Sequence, residues 1–480
     1  MTSPLVLSFR EGVELTSPTE GELEWKNGNM RVAFKRISPI VRTALQHIGG
    51  GVCEDQLVAM LMKADGGSEL PRLYYYLHRL AQRGILLRTA QLNGKPLGTL
   101  TPISASFVFN GRDVAPESRC VISRFAYMHK VGGEMVLESP LAHARLTLYD
   151  WRAAAFVQSL AQPSNLTDVL REVPDLTADA ANQLQKLLVG AGLAEELNET
   201  GTAAEESHSA LQVWEFHDLL FHTRSRAGRH DNPVGATYRF VDKLDSPPAL
   251  KSTKGTETID LYRPDIDRLQ REDPPFSHVQ ENRQSIRVYG DPPINAKQLG
   301  EFLFRVARVK DHTEIDVGTP TGQVRMDFAR RPYPGGGALY ELELYVVISN
   351  CADLAPGLYH YQPLTHRLGR IADRTDDVAM LLRSASFATT IPAEDLQVNV
   401  IIAARFQRIA WKYSSMAYAA ILKHVGVMYQ TMYLAATAMG LAPCGIGCGD
   451  SDLFARAAGT DYVSETSVGE FLLGSRQVDL

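Results

Sequence analysis

The N-terminal half repeats one order of structural signals, and this repeat constrains the fold more than any other feature of the chain. Residues 1–90 and 120–196 each begin with strand candidates, continue through three helices and close with a short strand. Gly84 and Gly192, which follow the third helix of each copy, lie 108 positions apart. Three helices with a β-hairpin wing make up the winged-helix plan. The sequence therefore predicts two winged-helix-like units in this half.

The third helices of the two copies differ in charge, and the difference bears on what these units bind. In the first copy this helix carries four side chains that could meet phosphates, namely Arg72, His78, Arg79 and Arg83. The matching segment of the second copy, residues 178–187, holds one lysine and one aspartate. Winged-helix units also bind peptides by extending their sheet with a strand. We therefore favour peptide docking or a scaffolding role over nucleic-acid binding.

Overall charge and cysteine usage exclude several classes of protein. A formal net charge of -6 argues against a chain that coats nucleic acid or an anionic membrane. Five scattered cysteines disfavour a disulfide framework. Cys444 and Cys448 form the only close pair and lack the partners of a zinc site, so we expect no metal. Without a targeting segment or an apolar run of membrane-spanning length, the expected location is the cytoplasm and no membrane partner is expected.

Composition divides the chain into four predicted parts. The two winged-helix-like units occupy residues 1–110 and 111–200. Residues 201–280 read as a linker followed by an arm rich in proline and charge, and such wrapping arms often belong to dimers. Residues 281–480 mix strand-like and helical patterns and form the main domain. The predicted fold class is therefore α+β.

The C-terminal half contains three segments suited to holding an anionic or flat ligand. In Arg283-x-Ser285-x-Arg287, a helix or tight turn would place both arginines on one face, where they could hold a phosphate or a ring carbonyl. Two further segments are glycine-rich loops, whose missing β-carbons let backbone amides approach a ligand. Their candidate residues are Pro334, Gly335, Gly336, Gly337, Ala338, Gly445, Ile446 and Gly447.

A pair of proton-carrying side chains, Lys412 and Tyr413, stands at the entrance of a long predicted helix. The helix should run from Ser414 to Met439, because no proline interrupts it and Gly440 suits its C-terminal end. Lys412 and Tyr413 can share a cavity only where the first turn faces an open pocket. On spacing alone, a solvated cap lysine and a packing tyrosine are the favoured explanation of the pair.

The Arg-x-Ser-x-Arg segment, the first glycine-rich loop, the Lys412–Tyr413 pair and the second glycine-rich loop follow one another in this order. Together they resemble the flavin-dependent nitroreductase-like enzymes. More narrowly they look like the SagB/ThcOx-type azoline dehydrogenases, which make thiazoles and oxazoles in ribosomally made peptides. The resemblance covers residues 211–480. The two winged-helix-like units resemble the peptide-recognition modules fused to cyanobactin thiazoline oxidases, members of the same family.

The resemblance implies a nitroreductase-like FMN domain, an azoline-containing peptide substrate and a domain-swapped homodimer with shared active sites. It places Arg283, Ser285 and Arg287 at the flavin phosphate and pyrimidine ring. The 334–338 loop would lie along the isoalloxazine, and residues 445–447 would approach the cofactor from another side. Lys412 and Tyr413 match the paired catalytic residues. The family usually carries a serine where Gly335 or Gly336 stands, so a backbone amide would serve here.

Dehydrogenating an azoline removes a proton from the former α-carbon and a hydride from its neighbour, which flavin N5 can accept. Either Tyr413 or neutral Lys412 could take the proton, and the sequence does not choose between them. Their predicted place at a helix N-terminus would favour the less positive form of each. Oxygen is the expected electron acceptor. The sequence leaves open the peptide, a preference for thiazoline or oxazoline, and whether the N-terminal units bind a leader peptide.

Two other functions compete with this interpretation. An NAD(P)H-dependent nitro- or quinone reductase would use the same flavin site but would need neither the Lys412–Tyr413 pair nor the winged-helix-like units. A winged-helix regulator with a flavin domain as redox sensor is the second. Flavin bleaching by NADPH would favour the reductase, and a DNA mobility shift would favour the regulator.

Overall fold

The computed structural model describes residues 4–28, 30–252 and 257–477. The chain forms two compact units, Met1–Asn232 and Pro233–Leu480. This division differs from the four predicted parts, whose boundaries lay after residues 110, 200 and 280.

The first unit contains the two predicted helix triplets and more strands than the sequence predicts. Its strands are β1 (Val6–Phe9), β2 (Glu14–Thr16), β3 (Leu23–Asn27), β4 (Met30–Phe34), β5 (Val52–Cys53), β6 (Leu86–Leu92), β7 (Lys95–Pro102), β8 (Cys120–Ile122), β9 (Tyr127–Val131), β10 (Glu134–Glu138), β11 (Ala144–Leu148) and β12 (Ala194–Glu196). Its helices are α1 (Pro39–His47), α2 (Glu54–Asp65), α3 (Leu70–Gln82), α4 (Trp151–Ser159), α5 (Leu166–Glu172), α6 (Ala178–Gly190), α7 (Ala204–Ser207), α8 (Ser209–Gln212) and α9 (Phe216–Arg224).

Local sequence explains why the second triplet begins where it does. The side chains of Asp150, Asn165 and Thr177 cap α4, α5 and α6 by accepting hydrogen bonds from backbone N–H groups of the first turns. Each of these helices also contributes apolar side chains to the core of the unit. Capping and burial therefore agree on the same boundaries.

One antiparallel sheet joins the two winged-helix-like copies. Its strand order is β5-β1-β6-β7-β11-β10-β9, and β7 of the first copy pairs with β11 of the second from Gly98–Leu148 to Pro102–Ala144. A single apolar core extends from Leu5 to Ala194. The predicted boundary after residue 110 is therefore not a boundary between cores, because the wing strand of the first copy pairs with the second copy.

The start of the predicted linker packs onto this first unit. The carboxylate of Glu205 is buried, and it accepts hydrogen bonds from Ser123 Oγ at 2.8 Å and from the Arg124 backbone N at 2.6 Å. Farther along, Arg224 forms an ion pair with Glu138 at 3.0 Å. These contacts make residues up to Asn232 part of the first unit.

The second unit is a mixed layer structure around a seven-stranded sheet. Its strands are β13 (Gly235–Ala236), β14 (Thr258–Asp260), β15 (Asp311–Thr319), β16 (Gly322–Arg330), β17 (Leu342–Ile348), β18 (Gly357–Gln362), β19 (Arg367–Ala372), β20 (Val398–Arg405), β21 (Tyr413–Ser414), β22 (Leu441–Ile446) and β23 (Glu465–Ser475). Its helices are α10 (Ile266–Glu272), α11 (Phe276–Asn282), α12 (Ala296–Ala307), α13 (Asp376–Thr389), α14 (Phe406–Ala410), α15 (Ala417–Ala438) and α16 (Ser451–Ala458).

The main sheet of the second unit has helices on both faces. Its order is β14-β19-β18-β17-β20-β23-β22, with antiparallel neighbours. One face packs against α12 and α15, and the other packs against α13 and α16. Strands β17 and β20 are almost wholly buried, as expected for strands covered on both sides. Residues 469–474 lie inside this sheet as part of β23, between β20 and β22.

All five cysteines are free thiols, as the sequence predicts. Within the described ranges, none of the helices combines the length and the apolar character needed to cross a membrane.

Candidate active site

Helix α15 holds the segments that the sequence singled out. It is rich in alanine and large apolar residues, and its buried side packs on the sheet through residues such as Met428 and Met432. Three of its polar side chains, His424, Tyr429 and Tyr433, instead contact backbone or side chains of the neighbouring loops. The helix is therefore the scaffold on which the candidate site is built.

The first cluster of the site brings the predicted catalytic pair to the glycine loop. Gly337 has φ 61°, and a β-carbon there would lie 2.7 Å from Tyr413 Oη and 2.8 Å from Lys412 Nζ. The Lys412 ammonium also lies 5.5 Å from the ring centroid of Tyr238 and 5.4 Å from that of Tyr413, within cation–π range. Residues 75 positions apart thus meet around a glycine that leaves room for both side chains.

The predicted catalytic pair precedes helix α15: Lys412 lies in a turn and Tyr413 in a short strand. Tyr413 and Ser414 form β21, which pairs with Gly235–Ala236, and the Tyr238 N–H donates to the Lys412 carbonyl at 3.1 Å. Helix α15 begins only at Ala417. Backbone pairing therefore holds these residues before the helix begins. The dipole of α15 acts on them less than it would on residues of the first helical turn.

A buried histidine positions the glycine loop. His424 Nε2 accepts a hydrogen bond from the Gly336 backbone N at 2.8 Å, so its Nδ1 carries the proton and donates to Glu341 Oε1 at 2.6 Å. Both side chains are buried. This Glu341–His424–Gly336 relay fixes the direction of one loop amide. The sequence analysis missed His424 and Glu341, because no local pattern links residues so far apart.

The second cluster contains the Arg-x-Ser-x-Arg segment. The sequence predicted a helix or tight turn, but α11 ends at Asn282 and residues 283–287 lie outside regular secondary structure. Arg283 and Ser285 both lie against Tyr433. The segment is held by a 2.8 Å bond from the Ile286 N–H to the Pro443 carbonyl.

Tyr433 joins this segment to the second glycine loop. Its hydroxyl lies 2.7 Å from Ser285 Oγ and accepts the Gly445 N–H at 2.7 Å. The Arg283 guanidinium carbon lies 5.2 Å from the centre of the Tyr433 ring. One helix turn earlier, Tyr429 donates to the Ile446 carbonyl at 2.7 Å. Tyr433 is a second functional candidate that the sequence analysis missed.

The two clusters occupy different positions along α15. His424, which anchors the first cluster, and Tyr433, which anchors the second, are nine residues apart, or about 14 Å along the helix axis. The structure therefore brings the predicted residues together as two groups on one scaffold. Gly447 lies beside open space, since a β-carbon there would have no neighbour within 4 Å.

The residues of these clusters fit the FMN that the family resemblance implies. Neither Arg283 nor Arg287 forms an ion pair with a carboxylate in the part of the chain that the structure describes, so both guanidinium groups are available to an anion. Ser285 supplies a hydroxyl, and Gly337 supplies a backbone surface where a β-carbon would displace the Lys412–Tyr413 pair. Cationic groups, a hydroxyl and bare backbone are the donors that a phosphate and a flat ring system require.

Three known families match successive parts of this chain. The ThcOx helix-turn-helix domain matches residues 1–110, the cyanobactin oxidase ThcOx family matches residues 120–231, and the nitroreductase family matches residues 281–474.

Three curated relatives and one solved structure show the extent of the similarity. A candidate nitroreductase of Methanocaldococcus jannaschii is 27% identical over 193 residues, which are 40% of this chain and 85% of that protein. The microcin B17-processing protein McbC of Escherichia coli is 33% identical over 116 residues, 23% of this chain and 42% of McbC. The chain therefore matches less than half the length of McbC. The trifolitoxin-processing protein TfxB of Rhizobium leguminosarum bv. trifolii is 21% identical over 345 residues, 66% of this chain and 84% of TfxB.

A chain from the E. coli microcin synthetase McbBCD complex with truncated pro-MccB17 bound aligns with a TM-score of 0.32 at 19% identity, covering 54% of this chain and 91% of that one.

The C-terminal match and the mixed α and β architecture define a nitroreductase-like oxidoreductase preceded by a ThcOx helix-turn-helix domain. Together with the cyanobactin-oxidase match between them, these matches support a SagB/ThcOx-type nitroreductase-like protein.

Proposed function

We propose that this protein is an FMN-dependent oxidase that dehydrogenates thiazoline or oxazoline rings in a ribosomally made peptide. The observation that carries the proposal is the convergence of Lys412 and Tyr413 on Gly337, because it places two proton-carrying groups at a bare stretch of backbone. The ThcOx match and the peptide-processing names of McbC and TfxB support a peptide substrate. Oxygen as acceptor and a homodimer with shared sites belong to the same proposal.

Each cluster has a separate role in this proposal. Arg283, Ser285 and Arg287 would hold the phosphate and pyrimidine ring of FMN, while the 334–338 and 445–447 loops would present backbone to the rest of the cofactor. When bound, FMN supplies a hydride acceptor. The His424–Glu341 pair keeps the Gly336 amide fixed, so the loop does not have to reorganise when a ligand arrives.

The catalytic pair would remove the proton that the reaction releases. Tyr413 or neutral Lys412 accepts it from the former α-carbon of the azoline, and the other group holds the substrate or balances charge. The azoline proton is already acidified by the adjacent C=N and carbonyl groups, so a modest base suffices. The Tyr238 ring limits where the Lys412 ammonium can move, which keeps it close to Tyr413.

The test is aerobic incubation of the purified protein with a thiazoline-containing peptide, followed by mass spectrometry. We expect the wild type to remove about 2 Da per ring, the mass of two hydrogens. Lys412→Ala and Tyr413→Phe should retain the visible spectrum of bound flavin and lose about 100-fold or more of the rate. Retained activity in both variants would overturn the assignment of the catalytic pair.

A second candidate function is an NAD(P)H-dependent nitro- or quinone reductase. The match of residues 281–474 to the nitroreductase family favours it, as does the 85% coverage of the Methanocaldococcus relative. The same preparation distinguishes the two candidates. A flavin that NADPH bleaches, together with a peptide left unchanged in mass, would establish the reductase instead.

A further inference from the structure

A cavity of about 400 Å³ lies within the first unit and belongs to neither cluster of the candidate active site. Parts of both winged-helix-like copies line it: α3 and β6 from the first copy, α6 from the second, and the chain that follows β7. Its rim includes Tyr74 and His78, which are exposed. The cavity is therefore open to solvent and large enough for one or two side chains of a ligand.

A buried arginine without a partner stands at the back of this cavity. Arg88 lies on β6, where its backbone pairs with Leu7 and Leu100, and its side chain is only 8% exposed. The Phe109 ring covers one face of the guanidinium at 4.5 Å. Among the residues that the structure describes, none accepts a hydrogen bond from Arg88 Nε. Arg88 also lines the cavity, so its side chain can meet a ligand there.

Among the described residues, no carboxylate forms an ion pair with Arg88. The Lys186 ammonium is already paired with Asp113 at 3.0 Å. Glu54 and Asp55 stand in the first turn of α2 and, like His78, line the cavity. Burial lowers the pKa of Arg88 to about 10, a change that Glu54 opposes, so Arg88 remains a cation at neutral pH.

A buried, unpaired cation is costly to a fold, because the interior replaces water that would solvate it. Such a group is retained more easily when a ligand completes its hydrogen bonds. Guanidinium groups prefer carboxylates and phosphates, which they bind through two parallel N–H donors. Two acidic side chains, Glu54 and Asp55, also line the cavity and would repel the repeated phosphates of nucleic acid, so a ligand with one carboxylate directed at Arg88 fits better.

The sheet of the first unit also limits how a peptide can dock. The wing strand β7 would be the edge for strand addition in an isolated winged-helix unit, but β11 already pairs with it from Gly98 to Pro102. Strand addition at β7 is therefore blocked, and the edges of this sheet are β5 and β9. At β6, an inner strand, a peptide would have to be recognised through side chains.

We propose that the Arg88 cavity binds the carboxylate of an aspartate or glutamate side chain of a peptide. This inference rests on the proposed function, because that function makes a peptide the substrate. The cavity would anchor one acidic residue by its side chain, with Arg88 as the discriminating contact and Phe109 as the support that orients the guanidinium.

The test uses two mixtures of short fluorescein-labelled peptides, identical except that the central residue is glutamate in one and glutamine in the other. Fluorescence anisotropy measures their binding to the full-length protein. We expect the wild type to bind the glutamate mixture about tenfold more tightly. Arg88→Met should remove this preference, and the matched surface variant Arg79→Met should keep it, since Arg79 is exposed on α3 and outside the cavity wall.

Stability separates a binding role from a structural one. Replacing an unpaired buried cation with methionine should raise the melting temperature of the peptide-free protein by about 2–4 °C, whereas loss of a structural arginine would lower it. If the methionine variant does not fold, Arg88→Lys takes its place in the test. Lysine keeps the positive charge but lacks the planar guanidinium group, so this variant should bind both mixtures alike.

Three outcomes would overturn the proposal: equal binding of both mixtures by the wild type, a glutamate preference that survives in Arg88→Met, or Arg88-dependent binding of a labelled oligonucleotide in place of the peptides. The anisotropy measurement needs no turnover. Failure of the dehydrogenase assay with an intact glutamate preference would therefore reject the proposed reaction and keep the binding site.

Discussion

Gly337 shows how the absence of a side chain can position two others. One of its α-hydrogens stands where a β-carbon would meet Tyr413 Oη and Lys412 Nζ, and its φ of 61° lies in the left-handed region that favours glycine. An added methyl group would therefore force both side chains to shift. The lack of a side chain at Gly337 therefore determines where the Lys412 and Tyr413 side chains can lie.

We expect Gly337→Ala to lower the dehydrogenation rate by about 100-fold, because the new methyl group would displace the catalytic atoms by roughly 1 Å. The matched control is Gly426→Ala. Gly426 lies in α15 with no neighbour within 4 Å of an added β-carbon, so this change should leave the rate unaltered and stabilise the helix by about 0.5–1 kcal/mol. Steady-state rates and melting curves of both variants check the prediction. A fully active Gly337→Ala would show that the close approach is unnecessary.

Glu470 gives the second unit a pH-dependent stability. Burial raises the pKa of this carboxyl group to about 7, although a 2.9 Å hydrogen bond from Asn399 opposes the change. Its other oxygen, Oε1, lies against Gly449. Because the folded-state pKa exceeds the ordinary value of 4.5, the protonated form stabilises the fold. That contribution is complete below the ordinary pKa and disappears as the pH rises through about 7.

Glu470→Gln should remove this dependence, since glutamine stays neutral and can still accept the bond from Asn399. Relative to the wild type, the variant should melt about 5 °C higher at pH 8 and nearly level at pH 4.5. Differential scanning fluorimetry across this range measures the difference. A gap of equal size at both pH values would mean that Glu470 does not lose a proton in the folded protein.

At the scale of elements, helix α15 fixes the distance between the two clusters of the candidate active site. His424 near its start fixes the 334–338 loop, and Tyr433 near its end fixes both the Arg-x-Ser-x-Arg segment and Gly445. A helix keeps these anchors at a constant separation, about 14 Å, because its rise per residue is fixed. The arrangement makes one rigid element responsible for aligning segments that are distant in the chain.

Tyr433→Phe isolates this role, because the ring that Arg283 covers remains while the hydroxyl is lost. The Gly445 N–H and the Ser285 hydroxyl would both lose a partner, which should cost about 1–2 kcal/mol of unfolding free energy and weaken FMN binding about tenfold. Chemical denaturation and titration of flavin fluorescence measure the two effects. Tyr462→Phe, on an exposed tyrosine, should change neither. Unchanged FMN affinity in Tyr433→Phe would place the cofactor away from this cluster.

For the whole molecule, local sequence signals predict a great deal. The repeated strand and helix order indicated two helix triplets, and the structure contains both, because caps, glycines and apolar spacing are local properties. The order of motifs did not by itself predict that Lys412 and Tyr413 meet Gly337. It also did not predict that α11 ends at Asn282, before the Arg-x-Ser-x-Arg segment.

Long-range pairings are the part that sequence patterns did not supply. His424 and Gly336 are 88 positions apart, and the bond between them leaves no periodic trace in either segment. The pairing of β7 with β11 was missed for a similar reason, because an edge strand and a central strand of this length have similar composition. The pairing of β7 with β11 also crosses the predicted boundary after residue 110.

The pairing of β7 with β11 also determines where the chain can be divided into fragments that fold. A fragment ending after residue 110 would leave β7 with a row of free backbone donors and acceptors, next to apolar side chains that normally face the second copy. An exposed edge of this kind tends to pair with exposed strands of other molecules and to cause aggregation. A fusion of the first unit to a different enzyme should therefore end after Asn232, so that both winged-helix-like copies are transferred together.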